Sequence, residues 1–173
     1  MMKDNDLQII GPMLIEKKCP SSEVRKHCRI LAGELIKQII PELDGHPRVL
    51  FSFVLRGAML LYIPFAEEFD EASFCFISSG SVTELDCLDY DTAVIVDTVI
   101  ETGKTVFDVK KLMESTGINA KNWFVAAVCA NKSVSRRLSE GFDRVFCLSY
   151  MDNVRVTIDA GKYATCGDGV LIL

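Results

Sequence analysis

The chain has 173 residues and a formal net charge of −5, with no Lys/Arg-rich block. That length suits one domain with a sizeable core, and the acidic balance gives non-specific nucleic-acid binding no electrostatic support. No apolar run approaches the ~20 residues needed to span a bilayer, and the N-terminus MMKDNDLQII lacks the apolar core of a signal peptide. The expectation is a cytoplasmic protein with neither a membrane nor a nucleic-acid partner.

In chain order, Ser21 or Ser22 is placed to cap a helix running to about Ile40. Val24, Ile30, Leu31, Leu35 and Ile39 supply its apolar face and Pro41 ends it. Val49–Leu55 is a nearly continuous apolar run, the pattern of a strand buried on both faces. A helix follows over roughly Ala58–Phe69, kinked or divided at Pro64. Ser73–Ile77 and Ala93–Asp97 read as the next strands. The polar, acidic and poorly periodic Ser78–Asp91 between them reads as a mobile loop or ribbon. Helix Gly103–Ser115, strand Trp123–Cys129, helix Ser133–Glu140 and strand Arg144–Ser149 complete the series. Gly117 and Gly141 stand where helix C-termini favour a left-handed residue. There is no repeat, low-complexity stretch or linker. Five strands alternating with helices predict one α/β domain over residues 1–173, a Rossmann-like parallel sheet with right-handed crossovers.

Cys19, Cys28, Cys75, Cys87, Cys129, Cys147 and Cys166 are odd in number and form no C-x-x-C pair. Several lie in apolar strand-like runs, so reduced core cysteines are expected rather than disulfides or a zinc site. With only His27 and His46 available, a His-based metal site or a Ser-His-Asp triad has too few members.

The most informative stretch is Val94–Val106, VIVDTVIETGKTV. An apolar strand ends in Asp97, a loop spans Thr98–Glu101, and Thr102-Gly103-Lys104-Thr105 opens the next helix. Small hydroxyl residues and a glycine let backbone N–H groups point outward at a helix start. There the unpaired donors and the macrodipole favour a phosphate. A Walker A loop would need a glycine five residues before Gly103, where Thr98 stands, and two acids would crowd a polyphosphate. In parallel sheets ligands bind at the carboxyl ends of the strands, and both Asp97 and the Leu55-Arg56-Gly57 segment end a strand on that edge.

The segment resembles the signature of the type I phosphoribosyltransferases that use phosphoribosyl pyrophosphate (PRPP): a hydrophobic strand, one or two acids, three residues, then T-G-[GK]-[ST]. The resemblance implies that Asp97 binds the ribose hydroxyls and that Thr102, Gly103, Lys104 and Thr105 hold the 5′-phosphate. Thr98, Val99, Ile100 and Glu101 complete that PRPP-binding segment. Phe53-Val54-Leu55-Arg56-Gly57-Ala58 resembles the pyrophosphate loop V-L-[RK]-[AG]-G of the same enzymes. There Leu55, Arg56 and Gly57 would bind PRPP, the glycine permitting close backbone approach and the guanidinium suiting a diphosphate. Arg56, Asp97 and Glu101 are the expected catalytic residues. Mg²⁺ is expected on PRPP oxygens, with Asp97 as its one candidate protein ligand.

The C-terminal Gly161–Gly169 looks like a shortened form of the uracil phosphoribosyltransferase tail, G-Y-I-x-P-G-x-G-D-x-G. This implies a base site made by Tyr163, Ala164, Thr165, Gly167 and Asp168. Ser22-Glu23-Val24-Arg25 is similar to the T-x-x-x-F-R element of those enzymes, and D-T at Asp97-Thr98 is similar to their D-P. The order and spacing of the pieces parallel that family over nearly the whole chain. They imply its five-stranded fold, with a small hood from the N- and C-terminal segments, and uracil as the base. Three departures stand against this. Ser78-Ser79-Gly80-Ser81 replaces an Arg-containing loop, the P-G of the tail is absent, and no basic residue follows G-D-x-G. Meanwhile Glu101-Thr102-Gly103-Lys104-Thr105 resembles the D-T-G-K-T of hypoxanthine-guanine enzymes, whose acid accepts a proton from the purine. A 6-oxopurine enzyme and a non-catalytic PRPP- or nucleotide-binding homologue therefore stay open beside the uracil enzyme. Exposed apolar surface on the N-terminal helix points to a homodimer.

Overall fold

The computed structural model of the protein describes residues 21–152, apart from 79, 84 and 86. Helix α1 (Ser21–Ile39) passes through a 3-10 turn (Ile40–Glu42) to strand β1 (Val49–Val54) and helix α2 (Met59–Glu68). Strands β2 (Ser73–Ser78), β3 (Ser81–Val82) and β4 (Asp89–Ile100) follow. Next come α3 (Lys104–Ser115), β5 (Asn119–Asn131), a 3-10 turn (Lys132–Val134), α4 (Ser135–Gly141) and β6 (Arg144–Met151). The sheet order is β3-β2-β1-β4-β5-β6, and every pairing is parallel except β2 with β3.

The continuous apolar strands are explained by two cores, one on each face of the sheet. Leu50 and Val54 of β1 join Ala93 and Ile95 of β4 under α3 and α4, packed with Val106, Val109, Met113 and Leu138. The alternate residues Phe51, Phe53, Val94 and Val96 face the other way. They meet Cys28, Ala32, Leu35 and Ile39 of α1 and Leu61 and Phe65 of α2. A strand buried on both faces has no polar side to alternate with. Phe51 and Phe53 meet the ring of Phe65 edge-on at 5.2 and 5.6 Å between centroids, a geometry that aligns ring edge with ring face.

Several boundaries differ from the sequence expectation. The sheet has six strands, not five: the five expected strands are the parallel ones, and β3 adds a two-residue antiparallel edge with Ile77 opposite Val82. Gly80, at φ +88°, makes the reversal, and two residues carry no periodicity to read. Strand β4 continues past Asp97 because β5 extends beside it, pairing Val99 with Cys129 and Ile100 with Ala130. Thr98–Ile100 is therefore strand, not loop. Ile30 is 43 % exposed, since the buried stripe of α1 runs through Cys28, Leu31, Ala32, Leu35 and Ile39. Ile30 lies one residue off that stripe, and its neighbour Leu31 takes the core position. Pro64 lies inside α2 without dividing it. Gly117 has the expected positive φ of 91°. Gly141 does not: it closes α4 and Phe142 leaves it in an extended conformation. Its lack of a side chain serves packing instead, for a Cβ there would lie 2.2 Å from Cε1 of Phe107.

Cys28, Cys75, Cys87, Cys129 and Cys147 are free thiols, and burial pushes Cys28, Cys75 and Cys147 up to about 11. No described helix is long and apolar enough to cross a membrane. The expected hood, built from the terminal segments 1–20 and 153–173, lies outside the described residues.

Candidate functional site

Successive connections leave β1 toward β2 on one side and β4 toward β5 and β6 on the other, so the strand order reverses between β1 and β4. Open parallel sheets form their ligand crevice at the carboxyl ends flanking that point. With Phe53 paired to Val96, the turn after β1 and Asp97 in β4 lie side by side there.

The turn after β1 is tied down at both ends. Leu55 N–H donates to the Ile77 carbonyl at 2.8 Å and Ala58 N–H to the Val54 carbonyl at 3.1 Å. The Leu55–Arg56 peptide is cis. Gly57 sits against β4, where a Cβ would lie 2.6 Å from Oγ1 of Thr98. This close approach, rather than backbone freedom, requires glycine at that position. The Arg56 side chain is exposed beside it.

Asp97 is 9 % exposed, and its Oδ1 accepts a 2.7 Å hydrogen bond from Thr98 N–H. Burial pushes its carboxyl up to about 7, against the opposing pull of the Thr98 and Val99 N–H groups, and no cation among the described residues offsets the burial. A buried acid without a countercharge among the described residues, lining a crevice, is a candidate for a functional position.

Glu101 and Thr102 then turn the chain into α3. Gly103 is the N-cap at φ +75°, and Thr102 Oγ1 accepts from Lys104 N–H at 3.3 Å. The N–H groups of the first helical turn have no intrahelical partners, and the dipole of the twelve-residue helix places partial positive charge there. A pocket of about 210 Å³ opens at this point, lined by Asp97, Val99, Ile100, Glu101, Thr102, Gly103, Thr105 and Val106. A second cavity of about 410 Å³ meets it at Thr105 and reaches Val54, Leu55, Ile77 and Ser78. An anion held by the helix N-terminus would thus lie within reach of both strand ends.

Most of the expected residues converge. Asp97, Val99, Ile100, Glu101, Thr102, Gly103 and Thr105 wall one pocket, Leu55 borders the next, and Gly57 packs on Thr98. Arg56 and Lys104 line neither pocket. Lys104 is exposed, and its ammonium is paired with Asp108 one turn along α3. Tyr163, Ala164, Thr165, Gly167 and Asp168 lie outside the described residues. Two residues of this region were missed. Arg137 of α4 donates to the Thr102 carbonyl at 3.4 Å, and its guanidinium lies 4.7 Å over the ring of Phe107. Nothing in S-V-S-R-R announces that role, since α4 meets the loop only through the fold.

No family model matches the sequence, and no curated protein matches it. Solved structures do. The AQ2163 protein from Aquifex aeolicus superposes with a TM-score of 0.60 at 12 % identity, over 86 % of this chain and 85 % of its own. A hypoxanthine-guanine phosphoribosyltransferase from Bacillus anthracis gives 0.55 at 16 % identity, over 75 % and 79 %. The orotate phosphoribosyltransferase of Aeropyrum pernix gives 0.54 at 16 % identity, over 70 % and 69 %. The central parallel sheet flanked by helices is the type I phosphoribosyltransferase fold.

Proposed function

We propose that the protein is a phosphoribosyltransferase that transfers the ribose 5-phosphate of PRPP to a nucleobase, with uracil as the base, giving UMP and pyrophosphate. One observation carries the reading. A buried acid three residues before the end of β4, with no countercharge among the described residues, lines the pocket at the α3 N-terminus, and the glycine turn after β1 packs against the next residue, Thr98. These are the places where a ribose, a 5′-phosphate and a diphosphate need a hydroxyl acceptor, a ring of N–H donors and a close backbone.

In the reaction a ring nitrogen of the base forms the bond to the anomeric carbon as the carbon–oxygen bond to pyrophosphate breaks. The base gives up its N–H proton to solvent, and both electrons of the broken bond leave with pyrophosphate. Asp97 accepts hydrogen bonds from the ribose hydroxyls, the Thr102–Thr105 N–H groups hold the 5′-phosphate, and Arg56 offers its guanidinium to the departing diphosphate. Among the described residues no cluster of three or more His, Cys, Asp or Glu could hold a metal. Mg²⁺ nevertheless fits this donor set, because it is usually held by substrate phosphates and one or two carboxylates, here Asp97. When bound, it would supply charge neutralisation for the diphosphate. Of the expected loop Ser78–Asp91, Asp89–Asp91 belongs to β4 at the far end of that strand, and only the β2–β3 reversal, which borders the second cavity at Ser78 and Gly80, would cover the site during the reaction. A homodimer is consistent with the exposed Ile30 on α1 and Ile63 on α2.

Uracil rests on the D-T pair at Asp97-Thr98 and on the tail. A second reading, a 6-oxopurine enzyme, is favoured by Glu101, whose place in the wall of the anion pocket would suit a proton acceptor for a purine. Incubation with PRPP, Mg²⁺ and a panel of bases, read by pyrophosphate release, separates them. Release with uracil supports the first reading. Release with hypoxanthine or guanine, lost in Glu101→Gln, supports the second. PRPP binding with no release for any base would make the protein a non-catalytic PRPP binder.

A further inference from the structure

The loop that walls the anion pocket does not stand by itself. Phe107, one turn into α3, lies under it: a Cβ on Gly103 would be 3.4 Å from Cε2 of this ring. On another side the ring fills the space left by Gly141, where a Cβ would lie 2.2 Å from Cε1, and it packs 5.2 Å from the ring of Phe142. Over the ring, at 4.7 Å, sits the guanidinium of Arg137, which also donates to the Thr102 carbonyl at 3.4 Å. A guanidinium is planar, so it can stack on a ring and still direct an N–H at a carbonyl in its own plane. The carbonyl of Thr102 belongs to the same peptide unit as the N–H of Gly103. Fixing one therefore fixes the other, at the entrance to the helix N-terminus.

Resting on the proposed phosphate site at Thr102–Thr105, we propose that Arg137 is a positioning residue for that site, acting with Phe107 to lock the Thr102–Gly103 peptide so that its N–H and those of the first helical turn are preset for the 5′-phosphate. Its charge also raises the local potential, since Asp108 is held below its ordinary value by Lys104 first, with Lys111 and Arg137 contributing. The effect is specific to ligands that carry the 5′-phosphate. A diphosphate bound at the Leu55–Gly57 turn would not depend on it.

Binding of ribose 5-phosphate and of inorganic pyrophosphate with Mg²⁺ is measured by calorimetry on the full chain, beside the melting temperature. Wild type should bind both. Arg137→Ala should weaken ribose 5-phosphate by about fivefold with pyrophosphate affinity unchanged and the melting temperature lowered by no more than about 4 °C, and Arg137→Lys should not restore it. Phe107→Leu should give a loss of the same size, and the double variant no further loss, because the stack is one unit. Equal affinity in well-folded Arg137→Ala overturns the inference while leaving the phosphate site standing. Parallel loss of both ligands overturns it too, since a general defect would then explain the result. A wild-type protein that binds no ribose 5-phosphate removes the phosphate site itself, and the inference with it.

Discussion

Asp97 is a buried acid in the wall of the pocket at the α3 N-terminus. Its carboxyl, raised from an ordinary 3.8 to about 7 by burial, makes the folded protein hold a proton that the unfolded chain releases. Between about pH 4 and about pH 7 the native state therefore binds more protons, and stability falls as pH rises through that window. Denaturant unfolding at pH 5 and pH 8 should show this decline, and Asp97→Asn, which cannot ionise, should flatten it. An equal decline in the variant would assign the titration elsewhere. The same substitution should keep the fold but weaken PRPP binding or turnover by about ten- to a hundredfold, the worth of a charge-assisted hydrogen bond of roughly 1.5–3 kcal/mol. Unchanged kinetics in folded Asp97→Asn would remove this residue from the site.

At the scale of elements, the site depends on how closely the turn after β1 approaches β4. Gly57 leaves no room for a methyl group beside Thr98 Oγ1. Gly57→Ala should push the two segments apart and cost roughly 1–3 kcal/mol of stability, the usual penalty of overpacking. Thr98→Ala removes the opposing hydroxyl, so the double variant should recover a good part of that loss. Purely additive losses in unfolding experiments would mean that the contact is not what excludes a side chain. Helix α3 depends on position in another sense. Its N-cap, Gly103, has no side chain to cap the helix, and of the first-turn N–H groups that of Lys104 donates to Thr102 Oγ1.

Across the whole molecule, the reversal of strand order between β1 and β4 assembles one crevice from segments more than forty residues apart in sequence. The proposed base site carries a test at the same scale. If residues Tyr163–Gly169 read uracil through backbone groups, deleting Thr165–Leu173 should abolish uracil turnover while leaving PRPP binding near wild type. Full-length rates in the truncated protein would assign base recognition to another part of the chain, with Glu101 the first residue to test.

The amino-acid sequence by itself determined the alternation of strands and helices, because buried parallel strands are continuous apolar runs and α3 has a clear amphipathic period. It also singled out Asp97 and Thr102–Thr105, because an acid, a fixed spacing and a T-G-K-T turn are local features that one segment carries whole. Its errors fell where local pattern is silent. Strand β4 overran Asp97 because β5 was there to pair with it, β3 was too short for periodicity, and Gly141 was fixed by a ring from another helix rather than by its own backbone. Only the tertiary structure decided that Asp97 would be buried with no countercharge among the described residues, that Gly57 would face Thr98, and that Arg137 would lie over Phe107 against the Thr102 carbonyl. Burial and close approach are properties of pairs of segments, and no single stretch of sequence contains both members.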